Sequence, residues 1–101
     1  MAAELREREE ARQRLLAQVL EKLPAYFEDT QVEAVYLIGS LLQPDHFYAF
    51  SDIDLAVVGL QEDYFSRLVE LEELLDRRVD VIEVERCRFR EEITTKGLRL
   101  R

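Results

Sequence analysis

A chain of 101 residues that is 48% apolar and 36% charged, with three glycines and two prolines, can bury one modest core and is neither disordered nor fibrous. Its net charge of −8 disfavours a stand-alone nucleic-acid binder, because an acidic surface repels a phosphate backbone. No apolar run approaches a membrane span, Met1-Ala2-Ala3-Glu4 lacks the regions of a signal peptide, and the single Cys87 can make neither an internal disulfide nor a zinc site alone, all of which fit the cytoplasm.

The charge is unevenly spread. Arg86, Arg88, Arg90, Lys96, Arg99 and Arg101 against Glu91 and Glu92 give residues 86–101 a charge of +4, leaving −12 for residues 1–85.

In chain order, Ala11, Leu15, Leu16, Val19, Leu20 and Leu23 recur at helical spacing and predict a helix over 2–23. Its first turns are charged, with Glu4–Arg8 and Glu10–Arg14 in the favourable i,i+4 order of a solvated helix end; Pro24 stops the pattern. Val32 to Ile38 is a β-prone run, apolar on both phases from Ala34 on, which predicts a strand covered on both faces. Gly39 ends it. Ser40 to Gln43 can make one helical turn, capped by Ser40 and halted by Pro44.

The loop from Pro44 to Ser51 is aromatic for a connection, with Phe47, Tyr48 and Phe50 beside Asp45 and His46. A histidine so placed reads as solvent-exposed rather than catalytic. Asp52 to Val58 is a second strand, ended by Gly59. Leu60 to Arg77 is a second helix, with Glu62 and Asp63 suiting the dipole at its start, Arg77 and Arg78 at its end, and Tyr64, Leu68, Leu71 and Leu75 on its buried face. Arg78 to Glu85 is a third strand and Phe89 to Thr95 a short helix, which Gly97 to Arg101 leaves. The order α-β-β-α-β-α predicts an α/β (α+β) fold: a small mixed β-sheet flanked by helices. The chain reads as one domain over 1–101, with an N-terminal helix (1–23), a core (32–85) and a basic C-terminal segment (86–101).

Chemistry concentrates where the strands begin. Side chains two apart on a strand point the same way, about 7 Å apart at ~3.3 Å rise per residue. Asp52 and Asp54 therefore project from one face, which continues as Ala56 and Val58. Asp80 shares a phase with Ile82 and Val84, while Glu83 and Glu85 on the other phase need no role beyond solvation. Three converging carboxylates with no lysine or arginine between them repel one another strongly. Either one holds a proton or a divalent cation neutralises them, and oxygen-only ligands would suit magnesium or manganese. Gly39-Ser40 complements the acids: glycine admits a ligand close to the backbone, and a serine hydroxyl can bond a phosphate oxygen. The motif is not a P-loop.

Gly39-Ser40 followed by Ser51-Asp52-Ile53-Asp54-Leu55-Ala56-Val57 resembles the signature of the DNA polymerase β-type nucleotidyltransferase superfamily. The short chain is similar to its minimal nucleotidyltransferase (MNT) branch, the antitoxin partners of HEPN-domain toxins. The resemblance spans 32–101. It implies ATP held by Gly39 and Ser40, two magnesium ions ligated by Asp52 and Asp54 with Asp80 as the third acid, and Asp80 helping to activate the acceptor hydroxyl. It further implies transfer of AMP to a tyrosine of a HEPN toxin, with this chain as the antitoxin. Where the branch carries an arginine after Gly-Ser, this chain reads Leu41-Leu42-Gln43-Pro44. That departure raises two expectations: that the basic tail, through Arg86, Arg88 or Arg90, supplies the missing charge, and that a partner meets Leu41, Leu42, Phe47, Tyr48 and Phe50. The alternative is an inactive or weakly active antitoxin that neutralises its partner by binding alone.

Overall fold

Val35, Leu37, Ile53, Leu55 and Val57 are all but inaccessible to solvent, and Ala34, Tyr36 and Ala56 on the alternate phase are buried too. Strands of this kind need cover on both faces. The computed structural model describes residues 2–49, 51–61 and 63–101. Its elements are α1 (Ala2–Glu28), β1 (Ala34–Ile38), a 3₁₀ turn (Ser40–Leu42), β2 (Ile53–Val58), α2 (Tyr64–Leu75), β3 (Val79–Glu83), a second 3₁₀ turn (Val84–Arg86), α3 (Arg90–Lys96) and β4 (Leu98–Arg99). The sheet runs β3-β2-β1-β4. It is mixed: β1 is antiparallel to β2 and β4, and β2 is parallel to β3.

Two cores result. On one face, Val19, Leu23 and Phe27 of α1 and Leu71 and Leu75 of α2 pack over Val35, Leu37, Ile53, Leu55, Val57, Val79 and Val81. On the other, Ile93 of α3 and Val84 pack with Ala34, Tyr36 and Ala56, and the partly buried Ile38, Val58 and Cys87 border them. The end of β2 that carries Asp54 belongs to this thinly covered face. The outer edge of β3 is blunted by α2, since Val79 N–H donates to Glu72 Oε2 (3.0 Å) and the Tyr64 hydroxyl donates to Val81 O (3.0 Å).

Several expectations are corrected. Pro24 does not end α1, which runs on to Glu28. A proline inside a helix costs about 3 kcal/mol. Full burial of Phe27 returns about 1.5–3 kcal/mol, and the Tyr26 hydroxyl adds two hydrogen bonds, donating to Glu70 Oε2 (2.7 Å) and accepting from Arg67 Nη1 (2.8 Å). Tertiary contacts therefore carry the helix through. Leu20, expected in the buried stripe, is exposed. α2 starts at Tyr64, not Leu60: Asp63 is its N-cap, accepting from Phe65 N–H, and Asp76 ends it in the left-handed conformation (φ 49°). Glu62 lies outside the described residues. Residues 84–86 turn out of β3 into the 3₁₀ turn. The tail that leaves α3, expected to carry no element, forms β4 on the free edge of β1, with Arg99 opposite Tyr36, and Leu100 enters the larger core.

Residues 3–7 at the start of α1 are exposed, as a solvated helix end should be, but Arg8, Glu9 and Arg12 turn inward. Neither Glu4–Arg8 nor Glu10–Arg14 forms an ion pair. Glu9 instead pairs with Arg12 (2.6 Å) and accepts from Asp45 N–H (3.0 Å), and the buried Arg12 donates to Leu41 O (2.8 Å). These bonds hold the Glu9 carboxyl down at about 2, led by the one from Arg12. Arg8 lies over the Tyr48 ring at 4.2 Å and donates to Asp45 O (3.1 Å). Arg12→Met should therefore lower stability by about 2 kcal/mol, through a buried carbonyl left without its donor, as read by urea denaturation. It should also speed hydrogen exchange at Asp45.

Candidate functional site

Asp54 is the second residue of β2 and sits between two neighbours in register: Ile38, the last residue of β1, and Asp80 of β3. Residues opposite each other in paired strands share a face, so Asp54 and Asp80 stand side by side about 5 Å apart at the backbone. Asp52 precedes the strand and is half-buried. Burial, then the Asp80 charge, then the Asp52 charge push the Asp54 carboxyl above its ordinary value. The fold thus brings all three acids within electrostatic reach of one another.

They do not form a closed cage. Among the described residues no three His, Cys, Asp or Glu side chains are grouped closely enough to hold a metal ion ready-made. The expectation that no cation stands near them is corrected at one point, for Arg78 Nε lies 3.9 Å from Asp52 Oδ1. With the Arg78 side chain 86% exposed, that pair contributes little, and Asp54 and Asp80 keep their charges uncompensated. An oxygen-only, uncompensated cluster of this kind suits a divalent cation.

Gly39 closes against the acids. It has φ +82°, and a β-carbon built there would fall onto Asp54 Oδ2, with Asp54 Cγ only 3.1 Å away. Only glycine allows this approach. Leu42 N–H donates to Gly39 O (3.2 Å) and Gln43 N–H to Ser40 O (3.0 Å), so the turn after Gly39 is folded as expected. The Ser40 side chain, however, makes no cap bond, and Gly39 is the capping residue. A cleft of about 380 Å³ opens beside it, lined by Ile38, Gly39, Leu42, Gln43, Lys96 and Gly97.

The connection from Gln43 to Ser51 is strapped down by residues that the sequence reading placed elsewhere. Arg77, expected to serve the end of α2, donates from Nη2 to Tyr48 O (2.8 Å) and Ala49 O (3.0 Å) and from Nε to Ser51 O (3.1 Å). It also lies over the Phe47 ring at 4.5 Å. A polar residue just beyond a helix end, followed by a strand, was the one available signal. Leu41 and Phe47, expected at a partner surface, are core residues. Leu42 is half-buried, Tyr48 is exposed, and Phe50 lies outside the described residues. His46 is exposed, as expected, with its ring bonded to Pro44 O. Glu85, assigned no role, accepts from Gly59 N–H (2.7 Å).

The sequence profile of the family "Polymerase beta, Nucleotidyltransferase" matches residues 21–100. The chain belongs to this family and is a nucleotidyltransferase; such enzymes use a nucleoside triphosphate and a divalent metal. Its fold is similar to that of a chain in the crystal structure of a mutant toxin–antitoxin, MntA–HpeT, with a TM-score of 0.63 and 23% identity over 81% of this chain and 71% of that one. No curated protein matches at the sequence level. Among the described residues no helix is long and apolar enough to cross a membrane.

Two variants probe the site without substrate. A carboxyl whose value is raised in the folded state opposes folding once ionised. Stability from this source is complete below about pH 3.9 and is lost as pH rises through the higher folded value. Asp54→Asn should therefore raise stability at pH 7 by less than about 1 kcal/mol for so accessible a group, read as a higher melting temperature, and the gain should vanish near pH 3. Gly39→Ala should cost about 1–3 kcal/mol in chemical denaturation, because the left-handed backbone and the contact with Asp54 add.

Proposed function

We propose that this chain transfers AMP from ATP to a hydroxyl, a tyrosine, on a HEPN-domain toxin in the cytoplasm, and so acts as the antitoxin of the pair. The observation that carries the reading is the register of Asp54 against Asp80 with Gly39 pressed on Asp54. The acids stand at the mouth of an anion-accepting turn, where a metal-bound triphosphate combines both charges. The likeness to the MntA–HpeT structure supports the toxin as partner. The reading treats 1–101 as a minimal nucleotidyltransferase domain with its catalytic core in 32–85.

Asp52 and Asp54, with Asp80 beside them, would hold magnesium, which supplies neutralisation of phosphate charge and polarisation of the α-phosphate. Gly39 lets the triphosphate approach the backbone, and the Ser40 hydroxyl donates to a phosphate oxygen. Asp80 accepts the proton of the acceptor hydroxyl. The oxygen then forms its bond to the α-phosphorus as the bond to the β-phosphate oxygen breaks and pyrophosphate leaves. Most of the catalytic work is positioning and charge compensation.

A second reading has its own support in the absence of an arginine after Gly39-Ser40 and in carboxylates not gathered into a ready cage. In it the chain neutralises the toxin by contact alone. Incubation with Mg-ATP and the toxin, followed by intact-mass measurement, separates the two. An adenylyl increment on the toxin is expected, abolished in the Asp52→Asn/Asp54→Asn variant. Neutralised toxin without that increment would leave binding as the whole function.

A further inference from the structure

The proposed site has three acids facing it, while a triphosphate needs cations as well as a metal. The six basic residues of the C-terminal segment are where sequence reasoning looked for them, with Arg86, Arg88 and Arg90 named first. The fold uses several of the six otherwise. Arg86 pairs with Glu83 (3.6 Å), and Arg90 Nη2 donates to Glu85 O (3.2 Å). Arg99 donates to Arg101 O (2.8 Å) and lies over Tyr36, and Arg101 donates to Val32 O (3.1 Å). Lys96 differs. Like Arg88 it forms no ion pair among the described residues, but unlike Arg88 it lines the cleft beside Gly39.

Its backbone is held there. A β-carbon at Gly97 would lie 2.6 Å from Ile93 O and 3.0 Å from Ile38 Cγ2, so α3 ends directly against the last residue of β1. Gly97 N–H closes the helix onto Ile93 O (2.9 Å), and β4 then returns along β1. Lys96 thereby shares the lining of one cleft with the turn that begins at Gly39. Gly39 in turn touches Asp54, so one continuous surface runs from the acids through the turn to the lysine.

We infer that Lys96 is the cation that binds the triphosphate of the nucleotide, a positioning residue supplied by the C-terminal end of α3 in place of any basic residue after Gly39-Ser40. This rests on the proposed nucleotidyltransferase site. The ammonium would pair with the outer phosphates, so affinity should depend on it for triphosphates and not for a monophosphate.

Isothermal titration of the full chain with Mg-ATP and with AMP tests this apart from catalysis. Lys96→Ala should weaken Mg-ATP binding about tenfold, the loss of one charge-assisted contact, and leave AMP binding unchanged. Lys96→Arg should restore most of it. As the side chain is exposed, all variants should melt as the native chain does. Native affinity for Mg-ATP in Lys96→Ala, with Asp54→Asn still losing it, would overturn the role of Lys96 and leave the site standing. Equal weakening of ATP and AMP would overturn it too. A native chain that binds neither nucleotide would overturn the inference together with the reading beneath it.

Discussion

The repulsion among carboxylates at the head of the central strands is the constraint around which the remaining features are arranged. Asp54 stands in a strand whose other side chains, from Leu55 to Val57, are buried, and its register partner on β3 is another aspartate. Burial and two neighbouring negative charges all push its carboxyl toward the protonated form. Such an arrangement opposes folding and is retained in proteins where it serves a site. The thin cover on that face follows from the same requirement. α1 and α2 seal the opposite face, while the short α3 ends against Ile38 and leaves Asp54 half-buried and Asp80 exposed.

A second demand is rigidity at the approach to the acids. Asp52 follows a connection with little regular structure, yet that connection is bonded from three directions. Arg77 takes three of its carbonyls from below α2, Arg8 and Glu9 hold Asp45 from α1, and Ser51 bonds back to Tyr48. Most of these partners lie 26 to 37 residues away in sequence, so the chain spends long-range contacts on a loop that the core does not need. Gly39 and the turn after it are held likewise, through Arg12 on the carbonyl of Leu41. The extension of α1 beyond Leu23 and the charged overhang at its start are two ends of one lever, anchored by Phe27 and Tyr26 at one end and by Arg12 at the other.

The C-terminal segment joins this frame rather than trailing from it. Leu98 and Arg99 give β1 its second neighbour, Leu100 fills the larger core, and the basic residues around them find carbonyl or carboxylate partners or face the cleft. Of the basic residues in this segment, Lys96 lines the cleft beside the turn where an anion would approach, while Arg86, Arg90 and Arg101 are bonded at the other end of the sheet. The most exposed apolar groups are Phe65 and Val69 on one face of α2 and Phe89 before α3.

The fold class, the three main strands and the convergence of Asp52, Asp54 and Asp80 were legible in the sequence. Strand alternation with period two and the Gly-Ser to Asp-x-Asp spacing are local properties that side-chain chemistry alone dictates. Asp52, Asp54, Asp80 and Gly39 could be singled out because acids at the head of apolar strands are costly and a glycine at a strand end needs no other explanation. Only the tertiary structure decided that α1 outlasts Pro24, that Leu41 and Phe47 are core, that Arg77 straps the loop, that residues 98–99 form a strand and that Lys96 shares a cleft with Gly39. Each of these depends on partners distant in sequence, whose packing and hydrogen bonds outweigh a local preference of a few kcal/mol or less, and no local pattern records who those partners are.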